Sequence, residues 1–221
     1  MAKINDLRSA LDYLKTIGGQ YVETDVEVDP KAELSGVYRY VGAGGTVSRP
    51  TREGPAMVFN NVKGHEDARV VIGLLASRKR VGYLLNEKPE NLGKLLNKAV
   101  SNPIAPVVVD NSKAKCQEIV HYATDEGFDI RKLIPAPTNT EEDAGPYITM
   151  GMCYATDPEN GDTDITIHRL CLQSKDEISM YFVPGSRHLS VFREKAEAAG
   201  KPLPISISVG VGPAIEIAAC F

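Results

Sequence analysis

Residues 147–172 read YITMGMCYATDPENGDTDITIHRLCL and have the pattern of a β-hairpin. Two runs rich in apolar and β-branched residues, 147–154 and 164–172, lie on either side of the turn-forming letters PENGD. A second turn at 174–177 precedes a third apolar run, 178–183. The pattern predicts three consecutive antiparallel strands, a β-meander.

After the meander the pattern changes to one helix and one further strand. Residues 189–199 have the composition of a helix that Gly200 ends, and residues 205–209 alternate as a strand does. A last apolar run reaches Phe221 without a polar cap, a charged tail or a turn. We therefore expect the natural gene product to continue past this residue.

The first half of the chain mixes helices with short strands. Asn5 or Asp6 can cap a first helix whose leucines fall on one stripe. Residues 21–62 contain short extended runs between turns rich in Gly and Pro. Residues 70–102 indicate a buried segment followed by two helices. Together these elements predict an N-terminal α/β domain over residues 1–110.

Composition and charge exclude several classes of protein. The 221 residues are 43% hydrophobic and 24% charged, which is typical of a folded chain. The net charge of −4 leaves no basic excess for nucleic-acid phosphates. The N-terminus has no apolar signal core, and no apolar run approaches the ~20 residues that span a bilayer. Four scattered cysteines favour reduced thiols over disulfides or a zinc site. We expect a cytoplasmic protein that binds neither nucleic acid nor membrane.

One predicted strand carries alternating polar residues. A period of two puts Asp164, Thr166 and His168 on one face and leaves Ile165 and its neighbours on the other. Such a polar face is either the solvent side of a sheet or part of a site that needs a partner. The alternation alone leaves both interpretations open.

His188 is a candidate partner for this polar face. It follows Pro, Gly, Ser and Arg187 at a junction between a strand and a helix, where free backbone N–H groups can bind an anion. An Asp164 oxygen with a His188 nitrogen suits a divalent ion such as Mn²⁺. The alternative is a structural histidine near a helix start. His65 and His121 have no such neighbours.

Two other motifs favour structural interpretations. The letters GAGGT at 42–46 fit neither GxGxxG nor the P-loop spacing, which favours a glycine turn over a phosphate loop. The basic cluster at 78–80 precedes apolar residues, which favours a solvated helix face over a phosphate site. Asp143 and Glu216 stay unassigned carboxylates.

The runs DITIHR at 164–169 and PGSRHL at 184–189 resemble the UbiD family of reversible decarboxylases. The similarity extends over nearly the whole chain, through the letters EVDPKAELSGVYRY at 27–40, DEGFDIRKL at 125–133 and PTNT at 137–140. These segments look like the branch that contains the large catalytic subunits of gallate and of hydroxybenzoate or vanillate decarboxylases. The chain resembles the N-terminal part of such a subunit.

The resemblance implies a fold and a set of cofactors. The family has an N-terminal α/β domain, a central split β-barrel related to flavin reductases, and a C-terminal domain. Here the barrel would occupy residues 111–221 and would be incomplete. The implied cofactors are prenylated FMN, Mn²⁺ and, in many members, K⁺.

The resemblance also implies roles for individual residues. Asp164 and His188 match metal ligands, and Arg169 matches the arginine that orients the substrate carboxylate. The residues that match cofactor-binding segments are Asp164, Ile165, Thr166, Ile167, His168, Arg169, Arg187 and His188. Many members have Asn at the position of Asp164. The third metal ligand and the catalytic acid would lie beyond Phe221.

The implied activity is the reversible, non-oxidative decarboxylation of a phenolic acid of the hydroxybenzoate, vanillate, protocatechuate or gallate class. The implied partners are further copies of the chain in a dimer or hexamer, a small accessory subunit, and a flavin prenyltransferase that supplies the cofactor. Two alternatives stay open, because a fold does not fix a function. One is a flavin reductase-like oxidoreductase that binds FMN. The other is a non-catalytic fragment or assembly subunit.

Overall fold

The computed structural model describes residues 3–43, 53–182 and 188–220. The helices are α1 Leu7–Lys15, α2 Glu33–Ala43, α3 Arg78–Leu84, α4 Leu92–Ser101, α5 Ile130–Leu133, α6 His188–Ala198 and α7 Pro213–Ala218. The strands are β1 Tyr21–Thr24, β2 Ala56–Phe59, β3 Val70–Ile72, β4 Tyr147–Thr156, β5 Thr163–Leu172, β6 Ile178–Met180 and β7 Ser206–Ser208. A mixed α and β fold with two sheets is therefore confirmed. The division of the chain at residue 110 stays a prediction.

The first sheet has the order β1-β2-β3, with β1 parallel and β3 antiparallel to β2. Its central strand β2 is buried on both faces. Ala56 and Val58 pack in the cluster that contains the apolar stripe of α1, and Met57 and Phe59 pack with Leu34 of α2. Two helices thus cover opposite faces of this strand, as the alternation of its side chains requires.

The predicted cap of α1 is confirmed. Asp6 is the N-cap, and its Oδ1 accepts a hydrogen bond of 2.7 Å from the Ser9 backbone N–H. The Ser9 hydroxyl lies 3.1 Å from the Asp6 backbone N–H, which completes a reciprocal capping box. This cap begins the helix where the leucine stripe begins.

Helix α2 was not predicted from the sequence, where residues 21–62 were expected to form short extended runs separated by turns. Leu34, Val37 and Tyr38 have helical spacing and pack against Met57 and Phe59. The expectation of turns between the short strands is wrong for residues 33–43, because packing against β2 outweighs the weak helix propensity of a segment rich in Gly, Val and Tyr.

The burial of Arg80 contradicts the prediction that residues 78–80 form a solvated helix face. Arg78 and Lys79 are exposed as predicted for a solvated helix face, but Arg80 is fully buried. Its Nε donates to the Leu74 carbonyl at 3.1 Å, and both terminal nitrogens donate to the Gly54 carbonyl at 2.8 Å. The guanidinium pairs with carbonyl groups of two loops. No local sequence pattern predicts that these loops lie beside Arg80.

The second sheet has the order β6-β5-β4-β7, and every neighbouring pair is antiparallel. The predicted β-meander is therefore confirmed, and β7 adds a fourth strand. A register shift between Ile148 and Gly151 marks an irregularity in β4. The core of this part joins both central strands to Leu189 and Phe192 of α6. No helix in the described ranges is long and apolar enough to cross a bilayer.

Candidate functional site

The polar face of β5 points into the protein. Thr166 and His168 are buried and Asp164 is half-buried, whereas Ile165 and Arg169 on the other face are exposed. The interpretation of this face as the solvent side is therefore wrong.

Helix α6 is the reason for this orientation. Cys153 and Ala155 of β4 stand opposite Thr166 and Asp164 in the register, so they share the same face of the sheet. Both pack in one cluster with Leu189 and Phe192 of α6. The helix thus covers the polar face from Asp164 to Thr166.

Asp164 and His188 meet at the start of α6. His188 Nδ1 lies 3.3 Å from Asp164 Oδ2, and the side chains are 77% and 22% exposed respectively. The His188 ring stacks on Phe192, with ring centroids 6.2 Å apart and an angle of 18° between the ring planes. The proximity expected from the sequence is present, and an open side of the imidazole is accessible to solvent.

The two donors fit the metal that the resemblance implies. A carboxylate oxygen and an imidazole nitrogen are ligands that suit a divalent ion such as Mn²⁺. In the described part of the chain, no group of three or more His, Cys, Asp or Glu side chains could hold a metal ion. The described residues thus supply a pair of ligands rather than a full set.

Behind this pair, Thr166 and His168 form a buried polar contact. Thr166 Oγ1 lies 2.8 Å from His168 Nε2, and the His168 ring is tilted against Phe182 at a centroid distance of 5.2 Å. Arg193 of α6 lies over the same Phe182 ring, 5.4 Å from its centroid. The imidazole of His168 is therefore held in a defined orientation beneath the site.

Arg169 lies on the opposite face of β5 from Asp164 and is exposed. It forms no ion pair with a carboxylate of the described residues. A hydrogen bond with the Cys171 thiol raises the pKa of the Tyr147 phenol, while the positive charge of Arg169 acts in the other direction. The structure thus separates Arg169 from the metal-type pair and leaves its guanidinium accessible.

The remaining predicted positions have mixed outcomes. Ile165 is exposed and Ile167 is half-buried, both on the face of Arg169. Arg187 lies outside the described residues. So does most of the glycine stretch at 42–46, although Gly42 belongs to the end of α2.

Asp143 caps a turn, since its Oδ2 accepts hydrogen bonds from the Asn139 and Thr140 backbone N–H groups.

Sequence analysis missed the contact that anchors α6. Lys195 Nζ donates to Asp157 Oδ2 at 2.6 Å and lies 3.0 Å from Glu159 Oε2. This hydrogen bond lowers the pKa of the nearly buried Asp157 carboxyl and raises the pKa of Lys195. The helix that begins at His188 is thereby tied to the turn between β4 and β5. No local pattern links a lysine to a turn so far away in sequence.

Two family models match the chain. The UbiD model, described as the Rift-related domain of 3-octaprenyl-4-hydroxybenzoate carboxy-lyase, matches residues 107–221. The model of the N-terminal domain of the same carboxy-lyase matches residues 14–100. A curated relative, gallate decarboxylase of Lactiplantibacillus plantarum, is 56% identical over 216 residues. The match covers 98% of this chain and 44% of that protein, so the chain spans less than half the length of this relative.

Solved structures are similar over the same extent. The apo 3,4-dihydroxybenzoic acid decarboxylase from Enterobacter cloacae has a TM-score of 0.93 at 58% identity, over 99% of this chain and 45% of that one. An evolved dimeric form of the UbiD-class enzyme HmfF from Pelotomaculum thermopropionicum, in complex with prFMN, has a TM-score of 0.86 at 32% identity, with coverages of 97% and 46%. The vanillic acid decarboxylase ShVdcCD of Sedimentibacter hydroxybenzoicus, in closed form, has a TM-score of 0.87 at 25% identity, with coverages of 99% and 45%.

Proposed function

We propose, because this chain belongs to the UbiD family, that it forms the cofactor-binding part of a decarboxylase for phenolic aromatic acids. The observation that carries the proposal is the contact of 3.3 Å between Asp164 and His188 at the edge of an inward-facing polar strand. This pair of metal-type ligands occurs in a chain that is 56% identical to a gallate decarboxylase. The proposed reaction is non-oxidative and reversible.

The substrate class follows from the relatives. The similar proteins include a gallate decarboxylase and a 3,4-dihydroxybenzoic acid decarboxylase. Both substrates carry a carboxylate and vicinal hydroxyls on one aromatic ring. We therefore propose a hydroxylated benzoic acid as the substrate of the whole protein.

The proposed cofactors are prenylated FMN and Mn²⁺, with K⁺ as a further ion. A solved UbiD-class relative binds prFMN. When bound, the flavin supplies the electron sink for the negative charge that departure of CO₂ leaves on the ring. Asp164 and His188 would hold the metal ion, and the segment 164–169 with Arg187 would bind the flavin and its phosphate.

The role proposed for Arg169 is to orient the substrate carboxylate. Its guanidinium is exposed and forms no ion pair within the described ranges, so its N–H groups are accessible to a ligand. A planar guanidinium binds a carboxylate through two parallel hydrogen bonds, which fixes the direction of the C–C bond to be broken. Orientation of this kind lowers the barrier by pre-forming the reactive geometry.

Assembly with other chains is part of the proposal. The relatives include an evolved dimeric enzyme and the ShVdcCD complex. We propose that the whole protein forms a dimer or a larger homo-oligomer such as a hexamer. A small accessory subunit and a flavin prenyltransferase are the further proposed partners.

Metal binding tests the assignment of the pair. In the protein of natural length, we expect His188→Ala and Asp164→Ala each to weaken Mn²⁺ binding at least ~10-fold, since even loss of an outer partner of a metal ligand costs that much. The matched control is His121→Ala, which removes an exposed imidazole elsewhere. Electron paramagnetic resonance of free Mn²⁺ measures the affinity. Equal Mn²⁺ affinity in all three variants would exclude the pair as ligands.

Turnover tests the reaction itself. The protein of natural length, loaded with prenylated FMN and Mn²⁺, is expected to release CO₂ from at least one of gallate, protocatechuate, vanillate and 4-hydroxybenzoate. Oxidation of NAD(P)H with unmodified FMN, without any CO₂ release, would instead support the flavin reductase alternative. The absence of both activities would support the alternative of a non-catalytic assembly subunit.

A further inference from the structure

A cleft of about 460 Å³ lies between the two sheets. One wall consists of β3 and the residues that follow it, up to Ala76. The other wall consists of residues 134–137 and the first residues of β4. Val71, Leu74 and Ile148 contribute apolar side chains to these walls, so most of the lining is apolar. The volume is in the range of pockets that bind small organic molecules.

Glu216 brings a carboxyl group to this apolar cleft. It belongs to α7, is 6% exposed, and lines the cleft. No residue in the described ranges forms a hydrogen bond or an ion pair with its side chain. Its oxygens are not among the fully enclosed unpartnered atoms of the described residues, so they open onto the cleft, where a ligand can pair with them.

The chemistry of Glu216 restricts the ligand. Burial raises the pKa of its carboxyl, because the charged form loses hydration. Its oxygens can accept a hydrogen bond from a hydroxyl group in either protonation state, which suits a phenol or an alcohol.

We propose that this cleft binds a small monocyclic phenol, whose hydroxyl pairs with Glu216 while its ring packs against Val71, Leu74 and Ile148. The choice of a phenol rests on the proposed function, because loss of CO₂ from a hydroxybenzoate yields a phenol. The cleft does not include Asp164 or His188. It is therefore a site for the product class that does not use the metal-type pair.

Calorimetric titration of catechol into the cofactor-free protein of natural length tests the proposal. We expect Glu216→Met, which removes both carboxyl oxygens, to weaken the binding of catechol about 10-fold, which is the effect of losing one well-placed hydrogen bond. The matched control, Glu126→Met, makes the same change at an exposed carboxyl and should leave the affinity unchanged. Ala76→Trp changes an exposed residue of the lining and should block the cleft without altering Glu216.

Crystals soaked with 4-bromocatechol locate the ligand by the anomalous scattering of bromine. Bromine beside Glu216 supports the proposal. Bromine absent from the cleft, a cleft filled by protein side chains, or equal affinities of Glu216→Met and Glu126→Met would overturn it. The titration needs neither cofactor nor turnover. Catechol binding without CO₂ release would therefore contradict only the proposed function. Normal CO₂ release without catechol binding in the cleft would contradict only this inference.

Discussion

Single residues of β5 face two environments that differ in chemistry. Asp164 points inward, where it contacts His188 at 3.3 Å. Arg169 points to the exposed face, where its charge acts on Tyr147. Because successive side chains of a strand alternate, one strand can present the proposed metal ligand and the proposed carboxylate-binding group on opposite sides. Loss of metal binding and loss of substrate orientation should therefore be separable by mutation.

The first prediction at this scale concerns Arg169. In the protein of natural length, Arg169→Ala should abolish decarboxylation while the flavin stays bound, because the role proposed for its guanidinium is to orient the substrate carboxylate. Arg169→Lys should also fail badly, since an ammonium cannot make two parallel hydrogen bonds to a carboxylate. Flavin absorbance of the purified variants and CO₂ release are the two measurements. Loss of flavin in either variant would make Arg169 a cofactor anchor instead.

Glu216 leads to a prediction about pH. Its pKa is raised above the usual value of 4.5 in the folded state, so the folded protein holds this proton to higher pH than the unfolded chain does. The stability that it contributes is complete below pH 4.5 and is lost as pH rises through the raised pKa. Glu216→Gln should remove this decline. The Tm of this variant should increasingly exceed the Tm of Glu126→Gln as pH rises above 4.5. Parallel Tm profiles would contradict the assignment.

At the scale of elements, the hairpin of β4 and β5 depends on one glycine. A Cβ at Gly151 would lie 2.5 Å from Leu170 Cδ1 and 3.2 Å from the His168 carbonyl oxygen. Leu170 is fully buried, so it has little room to yield. The close approach of the two strands beneath the site therefore requires a residue without a side chain.

Gly151→Ala should accordingly destabilise the protein by about 1–3 kcal/mol, the usual cost of overpacking a core. Gly93→Ala is the matched control, because a Cβ there meets no atom within 4 Å and the residue lies within α4. Alanine in a helix should stabilise by about 0.5–1 kcal/mol relative to glycine. Urea unfolding of both variants gives the free energies of unfolding. A Gly151→Ala variant as stable as Gly93→Ala would show that Leu170 can move aside.

Helix α6 is the element that connects the site to the rest of the fold. Its first residue is His188, and Lys195 near its end holds Asp157 at the turn after β4. Leu189 and Phe192 fix the helix against the core. The position of His188 is therefore set at three points along the helix, so its approach to Asp164 depends on packing as well as on charge.

At the scale of the whole molecule, large apolar side chains are exposed outside both cores. Almost all of residues 101–127 are exposed, and Ile104 and Val108 are 94% and 95% exposed. Strands β6 and β7 are the edges of the second sheet. Unpaired strand edges and large apolar surface of this kind promote association with other protein segments.

The prediction at this scale concerns residues 1–221 on their own. Supplied with prenylated FMN and Mn²⁺, they should release no CO₂ from hydroxybenzoates, because the resemblance places the third metal ligand and the acid beyond Phe221. They should also self-associate through their exposed apolar surface. CO₂ release beside the full-length protein and sedimentation velocity are the measurements. Turnover comparable to that of the full-length protein would make Glu216 the candidate for the catalytic acid, since Asp143 already accepts two backbone hydrogen bonds.

Features that depend on residues close together along the chain could be predicted from the sequence. Turn chemistry and alternation predicted the β-meander, and the cap of α1 followed from Asp6 ahead of a leucine stripe. The motifs around Asp164 and His188 also identified the family and predicted that the two side chains meet. Each signal lies within a short run, where local geometry fixes the outcome.

Which groups are buried could not be predicted from the sequence. A period of two divides β5 into two faces but does not say which face is inward, and α6 decides this by covering Asp164 and Thr166. Likewise, α2 forms because β2 offers it an apolar surface, and Arg80 and Glu216 are buried by segments distant in sequence. Burial depends on contacts between segments that are distant along the chain. A short run of sequence does not show which distant segments will pack against it.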